Sequence, residues 1–281
     1  MTRARRRLGQ SLVSDARLTR LLSRAPSWLV EKVPRDHRES DAAFRRRRRV
    51  TAGVSVAGAG LLGVSLSQKP DSRSFYALTL GVAGTWLAGG LASGPLHLGW
   101  VQTPEATLRR PLLTPVIAGV GAFGLFYAAA LGVRRVPPLD AAVSRILRYA
   151  QQGDPALVLT TTLANGIAEE VFFRGALYAA VGVDGPVLTS SAVYSLATVA
   201  TRNPALVLAS VPMGVLFALQ RRASGGIQAP IISHVTWSVL MLRFLPPLFR
   251  DRPAIDGPRP IADLEGVAGL TDGAAGGKLR A

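Results

Sequence analysis

Seven apolar runs divide the chain, at about residues 50–67, 75–93, 111–133, 155–182, 186–200, 204–219 and 227–249. About 17–25 apolar residues are needed to cross a hydrocarbon core, and several of these runs are long enough singly. The runs at 186–200 and 204–219 are short, which leaves tilting, re-entry or extension past these limits open. The reading is an all-α, polytopic transmembrane helical bundle of about seven helices. Ala, Leu, Val and Gly carry the apolar content and aromatics make up only 6%, which suits close-packed helices in lipid better than an aromatic-rich soluble core. Ser55, Ala59 and Gly63 lie four apart, and "GVAGTWLAGG" repeats the theme, so backbones can approach closely there.

The formal net charge is +16, which first suggests nucleic acid. Its distribution points elsewhere, because residues 1–49 hold 15 Lys+Arg against 5 Asp+Glu, all ahead of the first apolar run. A basic segment ending in "FRRRRRV" against a hydrophobic helix is the positive-inside signal and an attractor for anionic lipid headgroups. Membrane lipid is therefore the expected partner of this arm, and nucleic acid is not. The arm spans 1–49 and reads either as an amphipathic surface helix or as a solvated disordered segment. No early apolar stretch follows "MTRARRRLGQ", which argues against a cleaved secretory signal. The transmembrane domain covers 50–249, and the Gly/Ala-rich residues 250–281 read as a disordered tail. Between runs, 134–154 reads as a short surface helix capped by Asp140. Its four arginines compete in the charge count, yet a cytosolic N-terminus is favoured.

One helix breaks the apolar pattern. "ANGIAEEVFFRGALYAA" places Glu169, Glu170 and Arg174 inside the fourth run. Two Glu and one Arg near a helix centre cost about 8–10 kcal/mol on an insertion scale, and the surrounding Leu, Ile, Val and Phe return only about 3–6 kcal/mol. Such a helix belongs inside the bundle, with its charges paired or wet. Glu170 and Arg174 are four apart and can form an ion pair within the helix. Glu169 is rotated about 100° away and has no partner in its own helix. It is the carboxylate free to meet another helix or a water. The alternative is that all three charges merely lock helices together.

The chain has three histidines and no cysteine, so there is no disulfide framework, thiolate zinc site or cysteine nucleophile. His37 lies in the basic arm and carries no functional expectation. His97, in "GPLHLGW", reads as an interfacial hydrogen-bonding residue. His234 lies within the last run in "APIISHVTWSVL", with Ser238 one turn on along the same face. The fifth run adds a polar stripe of Ser191, Ser195, Thr198 and Arg202, with Tyr194 beside it. That face should look into the bundle; the alternative is hydroxyls bonding back to their own helix.

"EEVFFRG", "SSAVYSLAT" and "APIISHVTWS" resemble the three ordered motifs of the CPBP family of intramembrane proteases, the type II CAAX prenyl endopeptidases and their bacterial bacteriocin-processing and immunity relatives. The resemblance covers about residues 155–245. The family pattern is Glu-Glu-x-x-x-Arg, then Phe-x-x-x-His, then His-x-x-x-Asn or a similar residue. Glu169, Glu170 and Arg174 match the first, and His234 matches the third with Ser238 in place of Asn. In the second, Tyr194 stands for Phe and Thr198 for the histidine. The resemblance implies Glu169 as general base, Glu170 and Arg174 as its support, and His234 with Ser238 on the oxyanion side. Thr198 and Tyr194 are supporting positions, and threonine cannot share in activating water as histidine would. The expected activity is hydrolysis of a peptide bond in a peptide or protein substrate, at a multi-pass site in a bacterial plasma membrane. No cofactor is expected. A catalytic zinc usually takes three protein ligands, and one histidine in the site supports zinc poorly. Two other readings stay open: a protease-fold relative without turnover that acts as scaffold or binding protein, and a small transporter using Glu169–Arg174.

Overall fold

The computed structural model describes residues 39–249 with the exception of residue 104. His37, most of the basic arm and the tail lie outside the described residues. Eight helices follow in order: α1 Asp41–Ser65, α2 Arg73–Ser93, α3 Leu113–Val133, α4 Pro137–Gln152, α5 Pro155–Val181, α6 Pro186–Val199, α7 Pro204–Ser224 and α8 Gln228–Leu248. A two-residue antiparallel ladder, β1 Val101–Gln102 with β2 Leu108–Arg109, ties the loop between α2 and α3.

Each of the seven apolar runs becomes a helix, and α4 is the surface helix between the third and fourth. Five helices (α2, α3, α5, α7 and α8) are long and apolar enough to cross a membrane. The other two runs differ for physical reasons. Helix α1 carries five arginines in its N-terminal half, and α6 has 14 residues, short of a full crossing. The run drawn at 204–219 extends to Ser224, where Gly225 ends the helix in the left-handed region at φ 71°. Outward faces are apolar as lipid requires: Ile117 and Leu125 of α3, Leu188 and Leu196 of α6 and Leu208 of α7 are all exposed.

Helix α1 starts at Asp41, ahead of the apolar run, so the boundary drawn at 49 falls inside a helix. Ser40 caps it, its side chain accepting from the Ala43 amide, and Asp41 lies in the first turn. The arginine run is also not uniformly turned to headgroups. Arg47 is buried, donates to Ser93 Oγ at 3.1 Å and Pro95 O at 3.2 Å, and pairs with Glu39. Helix α4 begins at Pro137, so Asp140 sits in its first turn and is not the cap. Asp154 instead caps α5, accepting from the Leu157 amide at 2.9 Å.

The core sits where α2 meets α5. Trp86 packs against Phe172 and Phe173 with ring centroids 4.8 and 4.9 Å away, and Val82, Ala168 and Ala197 complete the cluster. Glycines set the helix spacing. A Cβ on Gly58 would overlap Trp86, one on Gly89 would overlap Val54, and one on Gly63 would lie 2.6 Å from the Ala200 carbonyl oxygen. The small-residue theme thus acts as packing, although Gly60, Gly81 and Gly84 face open space.

The loop after α2 clamps the start of α8. Ile227 N donates to His97 O at 2.8 Å, and Trp100 N donates to Ser224 O at 2.7 Å. Leu98 lies so close to Gly226 that any side chain there would collide with its backbone. At the opposite end of the bundle, the Tyr149 hydroxyl of α4 is shared between the carbonyls of Leu66 and Gln68, at 2.8 and 2.7 Å. Asn203 Nδ2 ties the start of α7 to Ala142 O at 2.8 Å.

Gly63→Ala sets a methyl against backbone that cannot rotate away, an overpacking cost of about 1–3 kcal/mol. Its thermal midpoint in detergent should fall below wild type. Gly60→Ala, on the same helix in open space, should be neutral or slightly stabilising.

Candidate active site

Helix α5 reaches the site in two conformations. Residues Pro155–Glu169 are α-helical, and Glu170–Leu177 form a π-helical segment before α-helix resumes at Tyr178. The widened turn, closed by i→i+5 bonds, begins at the Glu-Glu pair, and such insertions are frequent at functional sites. Every residue of that segment is buried.

Glu170 and Arg174 are fully buried. Arg174 Nη1 donates to Glu170 Oε1 at 3.1 Å, so the expected ion pair within the helix is present. Arg174 Nη2 reaches across to Gly214 O of α7 at 3.2 Å. Its guanidinium also lies 4.5 Å from the Tyr194 ring centroid and 5.2 Å from that of Phe217, both cation–π distances. From α8, His234 Nδ1 stands 2.9 Å from the same Glu170 oxygen. An ionised carboxylate only accepts, so Nδ1 carries the proton. The neutral ring then offers Nε2 as an acceptor, and a protonated ring offers it as a donor. Phe217 stacks on His234 at 4.8 Å and 22°. Gly166 of α5 covers the ring on another side, where a Cβ would lie 3.4 Å from His234 Cδ2.

Glu169 takes a different partner. Its Oε2 accepts from the Tyr194 hydroxyl of α6 at 3.0 Å. Of the two partners the sequence left open for this carboxylate, another helix or a water, the first is present, and the residue it meets is the one standing in place of the motif phenylalanine. The polar stripe shows both readings at once: Ser191 and Thr198 are buried in the bundle, and their hydroxyls bond back to their own helix. Ser191 Oγ donates to Val187 O at 2.7 Å and Thr198 Oγ1 to Tyr194 O at 2.9 Å. Arg202 lies outside α6, in the turn after it at φ 53°.

Glu169, Tyr194, Thr198, His234 and Ser238 line one cavity of about 320 Å³. Its remaining wall is mostly apolar, from Leu62, Phe75 and Val158 to Leu147 and Tyr149 of α4. Glu170 and Arg174 are not among its lining residues and stand behind the site. Sequence reasoning missed Gly166, Gly214 and Phe217, and only the apolar runs containing them gave any signal. Among the described residues no three His, Cys, Asp or Glu side chains converge to hold a metal ion. The donors present thus do not match the three-ligand pattern of a catalytic zinc.

The fold and the cavity define a multi-pass integral membrane protein whose ionisable residues face the bundle interior. The family model Type II CAAX prenyl endopeptidase Rce1-like matches residues 151–240, a stretch that contains Glu169, Glu170, Arg174, Tyr194, Thr198, His234 and Ser238. The resemblance read from the three motifs stands, and it supports the CPBP/CAAX protease family. No curated protein and no solved structure matches the chain.

Arg174→Ala would leave the Glu170 carboxylate buried without its guanidinium, and losing one member of a buried pair costs about 3–5 kcal/mol. Chemical denaturation in detergent micelles should show that loss. Arg174→Lys should recover part of it, because it keeps the charge without the fork that reaches Gly214.

Proposed function

We propose that the protein is an intramembrane endopeptidase that hydrolyses a peptide bond with water activated by Glu169. The observation that carries this reading is the shared cavity: Glu169 from α5 and His234 with Ser238 from α8 line the same space. Glu169 takes a proton from water as the oxygen attacks the scissile carbonyl carbon. The carbonyl π electrons pass to its oxygen, and that oxyanion is met by the Ser238 hydroxyl and the His234 ring. Collapse breaks the C–N bond, and the amine leaves with the proton Glu169 carried. Glu170 and Arg174 hold the His234 ring in place from behind. The apolar wall suits an apolar side chain beside the cleaved bond, and the apolar surroundings keep the site dry enough for these charges to act strongly.

The second reading is a protease-fold membrane protein acting as scaffold or binding protein, and Thr198 favours it. Its hydroxyl donates its one proton to the Tyr194 carbonyl, and a hydroxyl oxygen is too weak a base to take a proton from water where the family motif has histidine. A missing acid–base partner costs about 10²–10⁴ in rate. The exposed Arg45, Arg46, Arg48 and Arg49 of α1 fit a cytosolic leaflet rich in anionic lipid, which is the orientation we assign to the N-terminus.

Proteoliposomes holding wild type should cleave members of an apolar peptide library, and Glu169→Ala should abolish that cleavage. Indistinguishable products from the two would end the peptidase reading. Thr198→His should raise the wild-type rate; turnover that appears only in this variant would establish the scaffold reading, with the native chain an inactive relative.

A further inference from the structure

The peptidase reading leaves Glu169 without the histidine that would help it orient and activate water, and α6 supplies another group. We propose that Tyr194 is the positioning residue for Glu169, its phenol doing from one helical turn away what a histidine at position 198 would otherwise do. Three observations carry this, and the proposal rests on the peptidase reading only for its kinetic consequence.

The first is the bond itself, Tyr194 Oη donating to Glu169 Oε2 at 3.0 Å between two helices. The second is that the ring cannot swing. Arg174 lies over it at 4.5 Å, Phe173 meets it edge-on at 5.0 Å and 70°, and Gly214 of α7 lies beside its Cδ1 edge. The third is that Thr198 offers no alternative, since its hydroxyl donates within its own helix at 2.9 Å. Positions 194 and 198 are four apart on one helical face, and both line the cavity that Glu169 lines. A phenylalanine at 194 would keep all the ring contacts and lose only the hydroxyl. With Oε2 held by the phenol, Oε1 is left as the oxygen that takes the proton from water. Arg174 couples the two halves of the site, pairing with Glu170 on one side and gripping Tyr194 on the other.

The test is Tyr194→Phe in the full chain, reconstituted in liposomes. Loss of a hydrogen bond to a charged group should lower kcat about 10- to 100-fold with KM unchanged. Adding Thr198→His to Tyr194→Phe should restore most of that loss, which a purely structural role for Tyr194 would not allow. A second arm needs no turnover: an apolar carbodiimide should modify Glu169 faster in Tyr194→Phe than in wild type, read by mass spectrometry of the peptide. Glu169→Gln gives the blank. Equal labelling rates in wild type and Tyr194→Phe would overturn the proposal, as would an unchanged kcat. Faster labelling in a chain without peptidase activity would support Tyr194 as the group holding Glu169 while ending the peptidase reading.

Discussion

A single carboxylate oxygen joins the two helices that make the site. Glu170 Oε1 accepts from Arg174 on its own helix and faces His234 of α8, and neither Glu170 nor Arg174 reaches solvent. Taking an unpaired charge out of water costs several kcal/mol even after relaxation, so this carboxylate persists only where its partners are delivered with good geometry. That requirement fixes how α5 and α8 face each other. It also explains why the loop after α2 is built into the start of α8, since the clamp at His97, Trp100 and Gly226 sets the height at which His234 meets Glu170.

The two adjacent glutamates therefore do different work because they project into different surroundings. Glu170 points to the packed interior between α5, α7 and α8 and is consumed by structure. Glu169 lies on the cavity wall and meets α6. The π-helical segment that begins at Glu170 is braced by Trp86 against Phe172 and Phe173 and by Leu96 and Ile227 against Val171. In lipid there is little hydrophobic drive to bring helices together, so close contact at glycines and these internal polar bonds carry the assembly. Helix α4 adds Leu147 and Tyr149 to the cavity wall.

Much of this was legible in the chain. The apolar runs gave the helices, and the expense of three charges inside one of them identified α5 as an interior helix. The i,i+4 spacing gave the Glu170–Arg174 pair, and ordered motifs brought His234 and Ser238 to the same site. What the sequence did not disclose has physical reasons. A helical wheel assumes a constant period, so the π-helical segment at Glu170–Leu177 was invisible to it. Phe217 and Gly214 sit in an ordinary apolar run, and nothing in composition says that one stacks on an imidazole while the other receives a guanidinium. Pro137 placed the start of α4 ahead of Asp140, because proline fits the first turn that has no amide to satisfy. Arg47 looked like one more lipid-facing arginine, and only tertiary packing could reveal it buried against Ser93 and Pro95.

The account depends on Glu170 and His234 acting as one unit across two helices. The direct measurement is a double-mutant cycle on unfolding free energy in micelles, with Glu170→Gln, His234→Phe and the double variant. Groups in one hydrogen-bonded network couple by about 0.5–3 kcal/mol, and the account predicts a value in that range, with the double variant less damaged than the sum of the singles. Losses that simply add would mean that the two side chains do not hold each other, and the arrangement of α5 against α8 described above would be contradicted.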